Sequence, residues 1–428
     1  MKKNIVISII ILSFNTLIYA GGTETKPYSS AKSISLNGLY FAGGDGIIKS
    51  LLNPAGLIYQ DKFSAEFSVS DFLAQNSFNS STQGVFNSLR EDDLGFSGGI
   101  FLPISKNINT ALVYQKAVDY KVSWPFAKYF ESGSTNSLLV FDFYNNLSID
   151  ALSFSTAYRM GNYIIGISPV LYRISNKISF PQNNSAWDSG NGSAGYQFEY
   201  TQKAWAFGFS LGVIAELSDK VDLGLSIRSG YSADLEGEAN SKMFAVTDSA
   251  DESTSLKSSF NMPWIVGFGA IYSLSNNMWL NFDIQYSFRT KSNTSFQFGS
   301  NIWQNNLTMV DPVSGVKGES INLSYKKALD IGLGFEYMSG GEISYRLGYR
   351  FTQSPNSKSV YNLLYPAVDQ HVFTVGIGLK EGNIQFDGVL LYSIGIKKNI
   401  TNQSVEILNG EYDYDLFMPM ITLKYLIL

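Results

Sequence analysis

The side chains best suited to chemistry in this chain are charged groups that recur at every second position inside apolar segments. The set is Asp283, Arg289, Asp330, Glu336, Glu342, Arg346, Arg350 and Asp387. Arginine can pair with a carboxylate through two parallel hydrogen bonds. Arg346 and Arg350 are therefore the best candidates for holding an anionic headgroup.

Residues for enzymatic or metal chemistry are scarce. The chain has no cysteine and one histidine, His371, which excludes thiolate metal sites, disulfides and sites built on paired histidines. As a catalytic base, His371 would need a nucleophile and an orienting group beside it. Ser354 and Ser393 are only two of many serines. We expect no enzyme activity, no catalytic residues, no metal and no cofactor, and we expect His371 to make a surface or loop contact.

A glycine cluster, Gly43-Gly44-Asp45-Gly46, has the composition of a phosphate-binding loop. It lacks the arrangement that such a loop requires, in which a strand precedes the glycines and Lys-Ser or Lys-Thr follows them at the start of a helix. We therefore expect neither a nucleotide nor a nucleic-acid partner.

The composition shows what kind of structure must position these groups. Aromatic residues make up 14% of the chain and charged residues 16%, whereas soluble domains carry about 25% charged residues. After residue 20, no apolar stretch is long enough to cross a bilayer as a helix. Because a bilayer requires every backbone group to be paired, the remaining solution is a closed β-barrel.

Alternation with a period of two is the dominant pattern. Between Met278 and Phe288, apolar side chains alternate with polar ones that include Asp283. A barrel wall accepts this pattern because it turns its apolar face to lipid and its polar face to the lumen. The charged set therefore lies on the predicted luminal face. It is either a network that ties the wall to a plug or a polar lining that guides a carboxylate headgroup.

The alternating segments predict an all-β protein, a 14-stranded antiparallel transmembrane β-barrel formed by residues 61–428. The predicted strands are 61–75, 92–103, 107–122, 147–160, 162–175, 196–216, 220–232, 258–274, 277–290, 320–338, 341–353, 369–380, 383–397 and 411–427. Short turns and long loops alternate between them, as periplasmic turns and external loops do in outer-membrane barrels of Gram-negative cells.

The first 20 residues predict a secretory signal peptide. A basic start, Lys2-Lys3, is followed by the apolar run Ile5–Phe14 and by Ala20 before two glycines, which is the layout of such signals. We expect cleavage after Ala20. The alternative, an uncleaved anchor, is disfavoured because the apolar run is too short to span a bilayer.

Residues 21–60 do not alternate and predict a separate N-terminal unit. Its apolar residues at helical spacing are Ile47, Ile48, Leu51 and Leu52. A barrel of this size encloses more space than wall side chains fill, so we expect the unit to fold into a hatch inside the lumen. The apolar residues would then line the path of a hydrophobic ligand.

The end of this unit is the predicted gate. It consists of Asn53, Pro54, Ala55 and Gly56. Proline cannot continue a helix and restricts the residue before it. The alternative interpretation is a simple helix stop and turn, without a role in gating.

Three stretches make the chain similar to the FadL/TodX family of outer-membrane transporters for hydrophobic compounds. Gly38–Leu57 ends in a segment that resembles the family's Asn-Pro-Ala motif, and Met262–Tyr286 looks like the family's eighth and ninth strands. The strongest likeness is Tyr345–Pro355 followed by Tyr365–Leu379, similar to the family's Arg-x-Gly-Tyr, Ser-Pro, Pro, His and Gly-x-Gly run.

The resemblance implies a luminal hatch and passive transport of long-chain fatty acids or aromatic hydrocarbons. It also implies lateral release through a kink in strand three, although no glycine marks a kink between Ile108 and Tyr120. The expected partners are a hydrophobic small molecule or lipid, the lipids of the outer membrane, and the barrel assembly machinery during biogenesis.

Two other functions stay open at this point. A related barrel could dock exported proteins at the membrane, as type IX secretion barrels do, and a polar porin is a weaker third possibility. Aromatic residues in the long loops could capture hydrophobic solutes or simply pack the loops. They are Tyr129, Phe130, Trp187, Phe244 and Trp303.

Overall fold

The computed structural model describes most of the chain beyond the predicted signal peptide. It covers residues 29–44, 46–81, 84–125, 143–183, 195–243, 252–289, 293–300, 316–317, 320–322, 326–356, 363–401 and 409–427. The signal peptide, Asp45 and the five loop aromatics considered above lie outside the described residues.

Fourteen antiparallel strands form the wall, and the predicted fold class is confirmed. β1 is Ser64–Ser80, β2 is Gly84–Asn87 with Glu91–Pro103, β3 is Ile108–Trp124, β4 is Phe143–Met160, β5 is Tyr163–Asn183, β6 is Gly195–Ser218 and β7 is Val221–Arg228 with Tyr231–Met243. β8 is Glu252–Met262 with Ile265–Ser275, β9 is Met278–Ser287 with Asn293–Phe298, β10 is Ser320–Asn322 with Ala328–Ser339, β11 is Ile343–Thr352, β12 is Gln370–Glu381, β13 is Ile384–Gly395 with Lys398–Ile400 and β14 is Gly410–Leu426.

The barrel closes between its first and last strands. β1 pairs with β14 from Ser64 opposite Leu426 to Ser80 opposite Gly410, so the sheet has no free edge there. We call the end with the short connections the turn half and the end with the long connections the loop half. A short extra segment, Val316–Lys317, pairs with the start of β10.

Several strands extend further into the loop half than the sequence predicts. β7 continues to Met243 and β8 begins at Glu252, so most of the predicted loop 233–257 is strand. The outward side chains there are polar and charged, including Asp234 and Glu236. They have left the apolar layer of the membrane, so the alternation that marks a lipid-facing strand is absent.

The described residues of the N-terminal unit form three short helices. They are α1 at Ala31–Ser35 and two 3₁₀ helices at Ile48–Leu51 and Pro54–Tyr59. In the part of the chain that is described, no helix is long and apolar enough to cross a membrane.

Candidate functional site

The segment from Ser29 to Gln60 lies inside the turn half, and we call it the hatch. Nearly all of its described side chains are buried. The 3₁₀ helix Pro54–Tyr59 contacts β4, β5 and β6, while α1 contacts β11, β12 and β13. Because β5 and β12 are seven strands apart in a barrel of fourteen, the hatch crosses the full width of the lumen.

Glycines in the wall allow the hatch to lie this close to it. A Cβ atom on Gly166 or Gly212 would overlap the hatch backbone at Ala55 or the side chain of Asn53. On Gly224 or Gly348 it would lie 2.5 Å from the hatch backbone. The row continues through neighbouring strands as Gly269, Gly332, Gly334 and Gly376. Only glycine leaves room for the hatch to touch the wall backbone.

The predicted gate residues lie where the hatch meets β5 and β6. Asn53 caps the second 3₁₀ helix, because its Oδ1 accepts from the Ala55 N–H at 3.1 Å, and Pro54 is the first helical residue. The Asn53 Nδ2 donates to the Phe41 carbonyl at 2.7 Å. Asn53-Pro54 therefore follows the end of the helix Ile48–Leu51, as the sequence predicted, and also starts the next helix. The Asn53 side chain ties two parts of the hatch together. Gly56 packs against the Gly43 carbonyl.

The four predicted path residues divide into two pairs. Ile47 and Ile48 are completely buried in an apolar cluster with wall residues such as Val113 and Ile164. Leu51 and Leu52 instead line an internal cavity. The first pair thus anchors the hatch, and only the second pair faces space that a ligand could enter.

Polar wall side chains hold the hatch by its backbone. Asp283 accepts from the Phe41 N–H at 2.8 Å and from the Asn37 Nδ2 at 3.0 Å. Glu66, which sequence reasoning missed, accepts from the Ile47 N–H at 2.8 Å. Asn109 donates to the Gln60 carbonyl at 2.8 Å. These bonds satisfy hatch groups that have no partner in regular secondary structure.

Arg346 is the centre of a buried ion network. Its Nε donates to Glu336 at 2.8 Å and its Nη1 to Asp387 at 2.5 Å. Lys32 of α1 lies 3.4 Å from Glu336, so the network joins β10, β11 and β13 to the hatch. The two carboxylates already balance the charge of the guanidinium, and Arg346 is buried among them, so Arg346 is a poor partner for a solute headgroup.

Arg350, Asp330 and Arg289 lie nearer the middle of the lumen, and all three are buried. Arg350 donates to the Asn37 carbonyl at 2.9 Å. Asp330 accepts from Gln285 at 2.9 Å and is within electrostatic reach of Arg350 and Arg289. Arg350 and Asp330 also line the internal cavity.

This cavity is lined by both polar and apolar side chains. The polar ones include Arg228, Gln285, Asp330, Arg350 and Thr352, and the apolar ones include Leu51, Leu52, Ala117, Val118, Pro263 and Ile265. Its volume is about 70 Å³, while an apolar cavity that takes up benzene measures about 150 Å³. A solute can therefore enter only if a neighbouring element moves.

The lumen of the loop half is mainly apolar, which corrects the prediction that the inner face of the wall is polar. Buried inward side chains there include Tyr120, Trp124, Phe143, Ile149, Ile174 and Tyr200. Charged groups are thus concentrated in the turn half, where they hold the hatch. A hydrophobic solute would meet aliphatic and aromatic side chains first.

The connection between β11 and β12 is folded into this apolar space. Its described parts, residues 353–356 and 363–369, are almost entirely buried, with Leu363 and Leu364 at 1% and 0% exposure. The Trp124 Nε1 donates to the Leu363 carbonyl at 2.9 Å, and the Asn145 Nδ2 to the Leu364 carbonyl at 2.7 Å. We call these residues the inner loop, where the sequence predicted an external one.

The wall is interrupted between β2 and β3. The two strands pair from Pro103 opposite Asn109 to Ser97 opposite Gln115, and there the pairing ends. It resumes only at the Leu89 N–H, which donates to the Ser123 carbonyl at 2.8 Å. Residues 91–96 of β2 and 116–122 of β3 lie outside the backbone register between the two strands. We call this stretch the lateral gap.

A β-bulge produces the gap. The register between β3 and β4 shifts between Lys116 and Val118, so Ala117 is an extra residue. Bulges bend a strand and change which side chains face inward. Inward residues are odd-numbered up to Gln115 and even-numbered from Val118 onward. Ala117 and Val118 line the cavity, so the gap opens beside it.

His371 lies among aromatic side chains of the outer surface. His371 accepts from or donates to the Tyr349 hydroxyl at 2.8 Å and packs against aromatic rings of the outer surface. In the described ranges, no three His, Cys, Asp or Glu side chains are grouped to hold a metal ion.

The sequence of the chain matches a known protein family. Residues 144–415 match the sequence profile of the family described as outer membrane protein transport protein (OMPP1/FadL/TodX). That match covers more than half of the chain. No curated protein sequence matches the chain significantly.

Solved structures share the fold at low sequence identity. A Pseudomonas aeruginosa FadL homologue has a TM-score of 0.76 and 13% identity, covering 95% of this chain and 99% of its own. The toluene transporter TodX of P. putida has a TM-score of 0.75 and 15% identity, covering 94% and 99%. The toluene transporter TbuX of Ralstonia pickettii has a TM-score of 0.69 and 15% identity, covering 94% and 100%.

Proposed function

The chain belongs to the OMPP1/FadL/TodX family of outer membrane transport proteins, and we propose that it carries hydrophobic small molecules across the outer membrane passively. Family membership and the fourteen-stranded barrel place it in the outer membrane of a Gram-negative cell. The turn half then faces the periplasm and the loop half faces outward. Protein docking for secretion, the alternative function, finds no support in these comparisons.

The proposed route begins in the loop half. Its aliphatic and aromatic lining offers a hydrophobic solute an environment close to that of lipid, so apolar surface leaves water on entry. A polar solute would lose its hydration there without gaining hydrogen bonds. The lining therefore selects for apolar compounds before any specific contact is made.

The hatch is the proposed barrier to the periplasm. It crosses the whole lumen and is held by wall glycines and by hydrogen bonds from Asp283, Glu66 and Asn109. In this account Asn53, Pro54, Ala55 and Gly56 keep the barrier closed where it meets β5 and β6. Leu51 and Leu52 form the part of the hatch that contacts a solute in the cavity.

Lateral exit is the proposed last step, and the observation that carries it is the break in the backbone register between β2 and β3. Ala117 and Val118 line the cavity and border the lateral gap. On the outer surface, Leu94 and Phe96 beside the gap are 66% and 49% exposed. A solute that leaves there passes from the cavity into lipid without crossing water.

The solute classes implied by the family are long-chain fatty acids and aromatic hydrocarbons. For a fatty acid, Arg350 and Arg228 are the groups that could meet the carboxylate, because both line the cavity. Arg228 lies on the inner face of β7, and sequence reasoning did not single it out. Arg346 is excluded from this role by its two carboxylate partners.

Removal of the bulge tests the lateral route. Deletion of Ala117 restores a regular register between β3 and β4, so β3 can pair with β2 along its whole length. We expect uptake of a long-chain fatty acid by cells that depend on this protein to fall at least tenfold, with heat-modifiable migration unchanged.

A matched control is deletion of Leu217, the extra residue in the bulge between Glu216 and Ser218 beside a short turn. This deletion leaves the lateral gap intact, so uptake should stay near that of the parent. Unchanged uptake after deletion of Ala117 in a folded barrel would contradict lateral exit.

A further inference from the structure

We propose that the ion pair Glu91–Lys121 is a latch across the lateral gap, which sets how readily the gap admits molecules from the cavity to the bilayer. This inference rests on the proposed lateral route and names what controls it. The Lys121 Nζ lies 2.9 Å from the Glu91 Oε2. The pair joins β2 to β3 inside the stretch where backbone pairing is absent.

The two side chains approach the gap from opposite faces of the wall. Glu91 is buried and shares its face of β2 with the inward residues Ser97 and Phe101. Lys121 alternates with the buried inward residues Tyr120 and Val122, so it starts from the outward face of β3. The lysine side chain must therefore reach through the seam to meet the carboxylate, and the pair occupies the opening that a solute would use.

The surroundings make this pair stronger than an ordinary surface bridge. The exposed fractions of the Lys121 and Glu91 side chains are 31% and 11%, so water screens the attraction only in part. The backbone on either side of the gap is fixed, by β1 opposite Glu91 and by β4 opposite Lys121. Loss of this side-chain pair removes an attraction between two rigid edges, so the edges can separate more readily.

The chain provides a close control. Lys177 and Glu199 also form a pair between neighbouring strands, with the Nζ to Oε2 distance again 2.9 Å. Here β5 and β6 are paired continuously through the backbone on both sides of the salt bridge. Loss of this pair removes the same chemistry and leaves the wall closed, so it separates a latch from a general effect of charge.

The absence of cysteine in the chain allows a direct measurement of opening. A Val118→Cys variant places a thiol on the buried inner side of the gap, where the parent residue is 2% exposed. The protein is reconstituted in phosphatidylethanolamine–phosphatidylglycerol vesicles that contain pyrene maleimide. Excess glutathione in the water quenches reagent that leaves the bilayer, so labelling reports access from lipid.

We expect Lys121→Met to raise the labelling rate about three- to tenfold, the change that loss of an interaction of about 0.7–1.4 kcal/mol produces. Lys177→Met should leave the rate within about twofold of the parent. The exchanged pair Glu91→Lys with Lys121→Glu should bring the rate back toward the parent value. A purely structural role would not be rescued by exchange of the charges. Heat-modifiable migration shows whether each variant folds. If Lys121→Met does not fold, Glu91→Gln is the second test.

Two negative outcomes have different meanings. In the first, the Val118→Cys thiol is labelled in the parent, and at the same rate in Lys121→Met and Glu91→Gln. The proposal of a latch is then wrong, and the lateral route stands. If no variant reacts from the bilayer although fatty-acid uptake continues, the lateral route is wrong, and the latch falls with it.

Discussion

The two halves of the lumen share one wall but differ in their inward side chains. In the turn half, inward positions are glycines and polar groups that bind the hatch, as Gly212 and Asp283 do. In the loop half, inward positions are large apolar side chains such as Tyr120 and Trp124. The outward row is apolar in both halves wherever the wall crosses the apolar layer of the membrane. A barrel can therefore keep one outer surface while its interior changes from a sealed floor to an apolar entrance.

The interior of the turn half should be the most sensitive to loss of charge. Arg346→Ala would leave Glu336 and Asp387 buried with only part of their compensation, and we expect a loss of about 3–5 kcal/mol in the free energy of unfolding. Urea titration in vesicles measures it. Lys257→Ala breaks an exposed pair with Glu236 in the loop half and should have no detectable effect. Equal effects of the two substitutions would contradict the contrast between the halves.

The outward row should respond to charge wherever it lies in the apolar layer. Leu333 is 54% exposed on the outer surface of β10, and Leu333→Arg should cost about 2–4 kcal/mol in the same titration. Leu333→Met keeps volume and polarity and should cost less than about 1.5 kcal/mol. A neutral result for Leu333→Arg would reverse the assignment of inside and outside.

The glycine seat should control whether the hatch closes the pore. Gly166→Ala places a methyl group against the hatch backbone at Ala55, and such overpacking costs about 1–3 kcal/mol. We expect a folded barrel with raised ion conductance in planar bilayers, because the hatch is displaced. Gly388→Ala is the control, since its nearest neighbour would be 3.7 Å away. Unchanged conductance of Gly166→Ala would mean that the hatch is not held by this contact.

The inner loop should show the smallest effect. Trp124→Phe removes the hydrogen bond to the Leu363 carbonyl, and a single bond contributes about 1 kcal/mol. We expect about fivefold faster hydrogen exchange at the amides of Leu363 and Leu364. Trp205→Phe changes a lipid-facing tryptophan, 64% exposed, and should leave that exchange unchanged. No difference between the two variants would show that the inner loop is held by packing alone.

The wall could be predicted from sequence because side chains that face lipid must be apolar, which produces an alternating pattern. The hatch could be predicted as a unit because residues 21–60 break that pattern. The wall glycines that contact the hatch could not be recognised in the sequence. Gly224, Gly334 and Gly348 occupied polar positions of the pattern, and only the path of the hatch backbone shows what they do.

The bulge in β3 shows why part of the site could not be predicted. Apart from Thr110 and Lys116, the even-numbered residues of the strand are apolar, including Leu112, Tyr114, Val118, Tyr120 and Trp124. Up to Gln115 the even-numbered residues face lipid, and beyond the bulge at Ala117 they face a mainly apolar lumen. The change of face coincides with the change in lumen polarity, so the apolar residues keep the same parity on both sides of the bulge.

The division of the lumen predicts where a solute first arrives, and one measurement tests this directly. Purified protein is reconstituted in vesicles with a pyrene-labelled fatty acid added outside, and excimer fluorescence in the bilayer is followed together with ion conductance. We predict that protein-dependent fluorescence rises in the bilayer while conductance stays at the closed level, because the hatch remains seated. Arrival of the fatty acid in the vesicle interior before the bilayer, together with increased conductance, would contradict lateral exit above a closed hatch.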